Sequence, residues 1–156
     1  MSDKLRVLFL CTGNAARSQM AEALLRHLSK GRVEVFSAGS APEAAVHPAA
    51  RATLERQYAI DSTGLRPKPM REFLGQPFDF VVTVCDKIAE ECPTFPGDPE
   101  RIHWSFEDPA AEVRTRAFEH VASGLAARLR IWMALRTSAG DSTSSRLCLD
   151  SARAPK

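Results

Sequence analysis

The sequence lacks a long apolar run, an excess of charge of either sign and a targeting segment at its start. No apolar stretch approaches the roughly 20 residues that a transmembrane helix needs, so we expect no membrane partner. The formal net charge is +2 and the basic residues are scattered, which argues against nucleic acid as a partner. The apolar run Leu5–Leu10 is too short and too early for a signal peptide, so we expect a cytoplasmic protein.

Common nucleotide-binding and metal-binding motifs are also absent. The sequence contains neither G-x-G-x-x-G nor G-x-x-x-x-G-K followed by Ser or Thr, the two Gly-rich motifs that cradle nucleotide phosphates. Its four cysteines, Cys11, Cys85, Cys92 and Cys148, form no C-x-x-C pair, and they predict reactive or buried thiols instead of a disulfide framework. Zinc binding by Cys85, Cys92 and His103 would lack closely spaced ligands, so we predict no metal and no cofactor.

The length of 156 residues is that of a single domain, and a hydrophobic content of 44% is ordinary for a globular protein. We predict one domain over residues 1–136. From residue 137 the composition shifts to Ser, Thr, Gly and Asp, which predicts a disordered tail over residues 137–156. Cys148 lies in that tail and receives no role.

Hydrophobic periodicity predicts strands that alternate with helices. The predicted strands are Leu5–Leu10, Arg32–Ser37, Phe78–Val84 and Arg101–Trp104, and the predicted helices are Ser18–Lys30, Pro48–Gln57 and Val113–Trp132. This alternation indicates an α/β fold with a parallel sheet, whose site lies beyond the carboxyl ends of the strands. Cys11, Cys85 and Asp108 follow three of these ends, so we expect them to converge on one site.

The segment between the first strand and the first helix has the pattern of an oxyanion-binding loop. It consists of Cys11, Thr12, Gly13, Asn14, Ala15, Ala16, Arg17 and Ser18. Backbone N–H groups of residues 12–17 and the positive end of the following helix would surround a tetrahedral anion, and the Arg17 guanidinium would bind two of its oxygens. The same positive field predicts a pKa of Cys11 well below the ~8.5 of a free thiol, with Ser18 donating to the thiolate.

The segment Val7–Glu22, VLFLCTGNAARSQMAE, resembles the low-molecular-weight tyrosine phosphatase superfamily and, within it, the arsenate reductases coupled to thioredoxin. The resemblance continues through Phe36–Gly39, Val82–Cys85, Cys92-Pro93 and Trp104–Pro109, and so covers most of residues 4–135. It implies a flavodoxin-like three-layer fold with a four-stranded parallel sheet.

The resemblance also implies an activity, the reduction of arsenate to arsenite. In that scheme Cys11 is the nucleophile that attacks the bound oxyanion, Cys85 is the second thiol and Cys92 the third. Arg17 and Ser18 assist Cys11, and Asp108 is the acid, although it could instead serve only as a helix cap before Pro109. Phosphate and sulfate would compete with arsenate, and thioredoxin or another thiol reductant would remove the final disulfide.

The spacing of Cys85 and Cys92 sets a condition on that disulfide. If residues 86–91 form a helix, the two cysteines lie ~10 Å apart along its axis. A disulfide needs Cα atoms within roughly 4.4–6.8 Å of each other. The segment would therefore have to unwind or loop out before the bond can form.

Two alternatives remain open. A phosphatase of the same fold would use Cys11, Arg17 and Asp108, with water resolving the phosphocysteine. Gln19 in place of a proline, Ala110-Ala111 in place of an aromatic pair and the two further cysteines favour the reductase. A non-catalytic oxyanion-binding or redox-regulated module is the second alternative. The electron donor is also open between thioredoxin, glutathione with glutaredoxin, and mycothiol.

Two positions depart from the pattern of relatives. Ala16 stands where many relatives have a cysteine before the loop arginine. Asn14, Glu22 and Ser37 match positions associated with a potassium site, but the remaining acidic position falls at Lys68. An ammonium group there would replace the ion, so we do not predict potassium.

Overall fold

The fold was derived from a computed structural model that describes residues 4–109 and 116–141; for Glu91 and residues 137–141 it describes the backbone alone. The strands are β1 (Leu5–Cys11), β2 (Val33–Gly39), β3 (Phe80–Thr83) and β4 (Glu100–His103). The helices are α1 (Arg17–Leu28), α2 (Pro48–Tyr58), α3 (Asp86–Glu91) and α4 (Ala117–Asp141), with one 3₁₀ turn over Met70–Glu72.

The four strands form one parallel sheet in the order β2-β1-β3-β4, which confirms the predicted fold class. β1 lies in the interior of the sheet, and its residues Val7, Leu8, Phe9 and Leu10 are at most 1% exposed. An almost continuous apolar run is the pattern of a strand that is covered on both faces. Because every strand points the same way, the carboxyl ends of β1, β3 and β4 lie at one edge of the sheet.

Helix α1 packs its apolar stripe, which includes Met20, Leu24 and Leu25, into the core, and it also packs against α4. Its first turns bury polar side chains as well: Ser18 and Gln19 are 0% exposed and Glu22 is 6% exposed. Buried polar groups need hydrogen-bond partners. Those partners belong to the site at the start of this helix.

The boundaries of most elements fall within two residues of their prediction. The C-terminal helix is described from Ala117, and Val113, where the prediction began, lies outside the described residues. At its other end α4 continues to Asp141, five residues past the predicted domain limit. Residues 142–156, which include Cys148, also lie outside the described part. No helix in the described ranges combines the length and the apolar character needed to cross a membrane.

Candidate active site

The loop between β1 and α1 turns its carbonyl groups toward the segment 40–47. The carbonyls of Cys11, Thr12, Gly13 and Ala15 accept from the N–H groups of Ser40 (3.3 Å), Ala41 (2.9 Å), Glu43 (2.9 Å) and His47 (2.8 Å), respectively. The carbonyl of Ala16, the N-cap of α1, accepts from Met20 at 2.8 Å. A peptide that points its carbonyl outward points its N–H inward, so this pairing favours N–H groups that face the sulfur of Cys11. The N–H of Asn14 donates to Cys11 Sγ at 3.1 Å.

The last residue of β2 has to be a glycine because the loop packs directly on it. A Cβ on Gly39 would lie 2.4 Å from the carbonyl oxygen of Thr12 and 3.1 Å from the N atom of Asn14. Gly39 also donates its N–H to the carbonyl of Lys68 at 2.9 Å. The end of β2 therefore fixes the backbone of the loop from one side.

Asn14 connects the loop to the sulfur through its side chain. Asn14 has a φ of 51°, a left-handed conformation that Asn tolerates better than most residues. The backbone N–H of Lys68 donates to Asn14 Oδ1 at 2.8 Å, which identifies this atom as the oxygen. Nδ2 then donates to Ser18 Oγ at 2.7 Å. This leaves the Ser18 hydroxyl proton available to Cys11 Sγ, which lies 2.9 Å away.

The expected lowering of the Cys11 pKa is wrong. Cys11 is 2% exposed, and burial, the largest effect, raises the pKa of its thiol. The hydrogen bonds from Ser18 and from the N–H of Asn14 lower the pKa, as does the charge of Arg17, but burial outweighs them. The loop thus places the predicted stabilising groups around a sulfur that is deeply buried.

Arg17 and Asp108 lie together at the mouth of the loop. Arg17 donates from Nη1 to the carbonyl of Phe106 at 2.9 Å, and its Nη2 lies 4.0 Å from Asp108 Oδ2. The side chain of Arg17 is 14% exposed and that of Asp108 is 50% exposed. A half-exposed carboxyl group beside a guanidinium that is 14% exposed is open to proton exchange with solvent and lies next to the group that would bind an anion.

The thiol of Cys85 lies beside the loop. The register pairs Leu10 with Thr83, and the N–H of Val84 donates to the carbonyl of Leu10 at 3.0 Å. Adjacent strands are ~4.8 Å apart, so the residues that follow β1 and β3 are close neighbours. Cys85 Sγ lies 3.5 Å from the hydroxyl oxygen of Thr12, the residue after the nucleophile.

Cys92 lies at the other end of α3. The helix runs over Asp86–Glu91, with Cys85 at its N-cap and Cys92 at its C-cap, and it keeps the two thiols apart as the spacing argument required. Its residue Ile88 is 0% exposed. Cys92 is half-buried, and burial raises the pKa of its thiol while the charge of Arg101 lowers it. Cys11, Cys85 and Cys92 are all free thiols.

Behind the loop, a buried carboxylate is surrounded by cationic and hydroxyl groups. Glu22 Oε1 accepts from Ser37 Oγ at 2.5 Å and lies 3.5 Å from Lys68 Nζ, while Glu22 Oε2 accepts from Arg26 at 2.7 Å. Burial lowers the pKa of Lys68, and the charge of Glu22 opposes that effect. The Lys68 ammonium therefore occupies the position that the sequence suggested for it, next to Glu22 and Ser37.

One pair near the site is not predicted by the sequence, in which His103 is considered only as a zinc ligand with Cys85 and Cys92. His103 Nε2 lies 2.8 Å from Asp86 Oδ1, and His103 Nδ1 lies 2.8 Å from Thr83 Oγ1. The hydrogen bond with His103, followed by one with Ser105, lowers the pKa of Asp86. The parallel register sets Thr83 opposite His103, and the sequence carries no local signal for that register. In the described ranges no three His, Cys, Asp or Glu side chains are grouped so as to hold a metal ion.

Comparisons with known proteins agree with this geometry. The chain is 37% identical over 135 residues to an arsenate reductase of Shouchella clausii, a match that covers 83% of this chain and 95% of that protein. The structure resembles the thioredoxin-dependent arsenate reductase of Corynebacterium glutamicum with a TM-score of 0.67 and 30% identity, over 88% of this chain and 65% of that chain. An arsenate reductase in its oxidized state gives a TM-score of 0.72 at 29% identity, over 83% of this chain and 96% of that chain. Residues 6–140 match the family described as low molecular weight phosphotyrosine protein phosphatase, and the chain belongs to that family.

Proposed function

We propose that this protein reduces arsenate to arsenite through a relay of three cysteines, Cys11, Cys85 and Cys92. The observation that carries the proposal is the position of Cys85, whose sulfur lies 3.5 Å from Thr12 Oγ1 at the rim of the oxyanion loop. A second thiol at this position would have no role in the hydrolysis of a phosphoester, which uses only the nucleophile and water. Curated relatives that are 34–38% identical to the chain are named arsenate reductases, which supports the same choice.

In the first step, the N–H groups of residues 12–17 and the guanidinium of Arg17 bind arsenate. Burial keeps Cys11 protonated, so its proton passes to an oxygen of the arsenate dianion as the sulfur attacks arsenic. An As–S bond forms, and one oxygen leaves as water after Asp108 supplies a second proton. The Ser18 hydroxyl and the Asn14 N–H stabilise the negative charge that develops on the sulfur during this transfer.

In the second step, the Cys85 thiolate attacks the sulfur of Cys11. The S–As bond breaks and its electron pair stays on arsenic, so arsenic(V) becomes arsenic(III) and leaves as arsenite. The two thiols lose the matching two electrons and form a Cys11–Cys85 disulfide. The Thr12 hydroxyl is placed to donate to Cys85 when that thiol loses its proton.

In the third step, the Cys92 thiolate attacks Cys85, and Cys11 leaves as a thiolate. This exchange requires α3 to unwind, because a regular helix over Asp86–Glu91 holds the two cysteines too far apart. An external thiol reductant then reduces the Cys85–Cys92 disulfide. We propose a protein dithiol of the thioredoxin class for that role, as in the Corynebacterium glutamicum relative.

A single-turnover experiment tests the proposal. Reduced protein is mixed with arsenate without reductant, and the arsenite, the remaining thiols and the disulfide are measured by mass spectrometry. We expect nearly one arsenite per protein and a Cys85–Cys92 disulfide. Cys11→Ser and Cys85→Ser should release none, whereas Cys92→Ser should release one and stop at Cys11–Cys85. Cys148→Ser is the matched control and should behave as the unaltered protein.

Other outcomes would point to other functions. Arsenite that forms only after a small thiol is added would indicate a glutathione-type or mycothiol-type reductase. Hydrolysis of an aryl phosphate, with no arsenite under any reductant, would replace the proposal with a phosphatase that uses the same Cys11, Arg17 and Asp108. Phosphate or sulfate should slow the first step in either case, because both would compete for the same loop.

A further inference from the structure

A groove that the proposed relay does not use borders the edge of the sheet opposite β2. It lies between the edge strand β4 and helix α4 and has a volume of about 900 Å³. Trp104 and Trp132, which are 6% and 8% exposed, contribute to its lining. β4 pairs on one side with β3 and is the last strand of the sheet in the described residues, so this groove borders an edge strand.

Two apolar residues of the groove, Ile131 and Leu135, are open to solvent. The described residues include three large hydrophobic side chains that count as exposed, and two of them, Ile131 (63%) and Leu135 (38%), lie in this groove. They are four residues apart on α4, which places them on one face of the helix. Exposed apolar residues that cluster over buried aromatic ones mark surfaces where proteins bind.

The border of the groove is positively charged. Arg101, Arg128 and Arg136 line it, against the single carboxylate of Glu100. The guanidinium of Arg128 lies 6.0 Å from the ring centre of Trp104, and that of Arg136 lies 5.8 Å from the ring centre of Trp132. Contact with the aromatic rings keeps both charges at the groove. A partner with an apolar centre and an acidic border would complement this surface.

Arg101 connects the groove to the relay. It lines the groove, donates from Nη2 to the carbonyl of Pro93 at 2.9 Å, and lowers the pKa of the adjacent Cys92. Cys92 supplies one sulfur of the Cys85–Cys92 disulfide, which the external reductant reduces in the proposed relay. A reductant that reaches this disulfide from the side of β4 would therefore lie over the groove.

We infer that the groove between β4 and α4 is the docking surface for the protein dithiol that reduces Cys85–Cys92, an inference that rests on the proposed function. The partner contacts Ile131 and Leu135 with apolar residues around its reactive cysteine and sets acidic residues against Arg101 and Arg128. Its thiolate attacks one sulfur of the disulfide, and its second thiol resolves the mixed disulfide. The partner leaves oxidised by two electrons, and this chain recovers two thiols.

The test is the reduction of pre-oxidised protein, with the Cys85–Cys92 disulfide in place, by thioredoxin. The rate is measured against thioredoxin concentration, and no arsenate is involved, so this result is independent of whether the chain reduces arsenate. Ile131→Glu and Leu135→Glu should each raise the KM for thioredoxin about tenfold, the loss expected of a central interface residue. Their reduction by dithiothreitol and their arsenite release in a single turnover should stay unchanged.

Leu74→Glu is the matched control, because Leu74 is 40% exposed and does not line the groove. It adds the same charge elsewhere and should leave the KM unchanged. An equal KM for Ile131→Glu, Leu135→Glu and Leu74→Glu would overturn the inference. A dimer in sedimentation that Ile131→Glu dissociates would also overturn it, since the groove would then hold a second copy of this chain.

Discussion

The backbone N–H of Lys68 donates to the side-chain oxygen of Asn14 across 54 positions of sequence, at 2.8 Å. Because a backbone N–H can only donate, this bond orients the Asn14 amide so that its nitrogen faces Ser18. The Ser18 hydroxyl is in turn left for the sulfur of Cys11. A residue of an irregular segment thus determines how the nucleophile is stabilised.

Asn14→Gly should lower the rate of arsenite release in a single turnover by about tenfold to a hundredfold. Glycine keeps the positive φ of this position, but it removes the amide that orients Ser18. The Ser18 hydrogen bond to the charge that develops on the sulfur of Cys11, worth about 1.5–3 kcal/mol, is then lost or weakened. The rate is measured by quenched flow with arsenite detection. Arsenite release at the unaltered rate would show that Ser18 is oriented without Asn14.

Lys68→Met should destabilise the protein by about 3 kcal/mol, the lower end of the range for one partner lost from a buried ion pair. The Glu22 carboxylate, 7% exposed, would keep Arg26 and Ser37 but lose its ammonium neighbour. Urea unfolding at neutral pH measures the change in free energy of unfolding. Glu22→Gln added to Lys68→Met should recover most of it, and a double variant no more stable than Lys68→Met would contradict the explanation.

The reactivity of Cys11 should keep increasing with pH above the pKa of a free thiol. Burial raises the pKa of Cys11, so alkylation by iodoacetamide should still be accelerating above pH ~8.5. Ser18→Ala removes a hydrogen bond that lowers this pKa and should shift the profile to still higher pH, whereas the exposed Ser40→Ala should not. A rate that levels off below pH about 7 would contradict the raised pKa.

The same shift has a consequence for stability. The folded state holds Cys11 as a neutral thiol, whereas the unfolded chain ionises it near the pKa of a free thiol. The stability from this group is therefore fully present below the unfolded pKa and is lost as the pH rises through the higher, folded pKa. Urea titrations above pH ~8.5 should show a steeper loss of stability for the unaltered protein than for Cys11→Ala.

Asp86→Asn should speed the formation of the Cys85–Cys92 disulfide by about threefold. Asp86 holds the first turn of α3 to His103 at 2.8 Å, and its negative charge favours the helix start, so its loss makes unwinding easier. Acid quenching followed by thiol mapping measures this step separately from arsenite release, which should not change. Lys87→Met, at the exposed next position, is the control. An exchange as slow as in the unaltered protein would show that the His103 contact does not restrain α3.

The predictable part of the fold lay in its local patterns. The apolar run of β1 and the stripe of α1 predicted a buried strand and a packed helix, and both were confirmed. The carboxyl ends of β1 and β3 could be predicted to lie at the same edge, because the sheet was predicted to be parallel. The bond between Asn14 and Lys68 could not, because it depends on how an irregular segment folds back over Gly39.

The pKa shifts in the site were harder to predict than the residues that form it. The sequence predicted that Ser18, Arg17 and a backbone N–H of the loop act on Cys11, but the direction of the pKa shift depends on the depth of burial, which a local pattern does not report. The sequence offers His103 only as a zinc candidate without closely spaced ligands, because its actual partner, Asp86, lies 17 positions away. That pairing follows from the register of β3 and β4, which appears only once the sheet is assembled.

The position of Cys85 at the end of the strand next to β1 has an evolutionary consequence. The hydrogen bonds of the sheet fix that position, so whatever side chain occurs there lies beside the oxyanion loop. Under the proposed function, a hydrolase with this fold would need no new backbone to become an oxidoreductase. A cysteine at the end of β3 would supply reducing electrons beside the bound anion. A second cysteine at the far end of α3 would then transfer the disulfide away from the loop, to where a reductant can reach it.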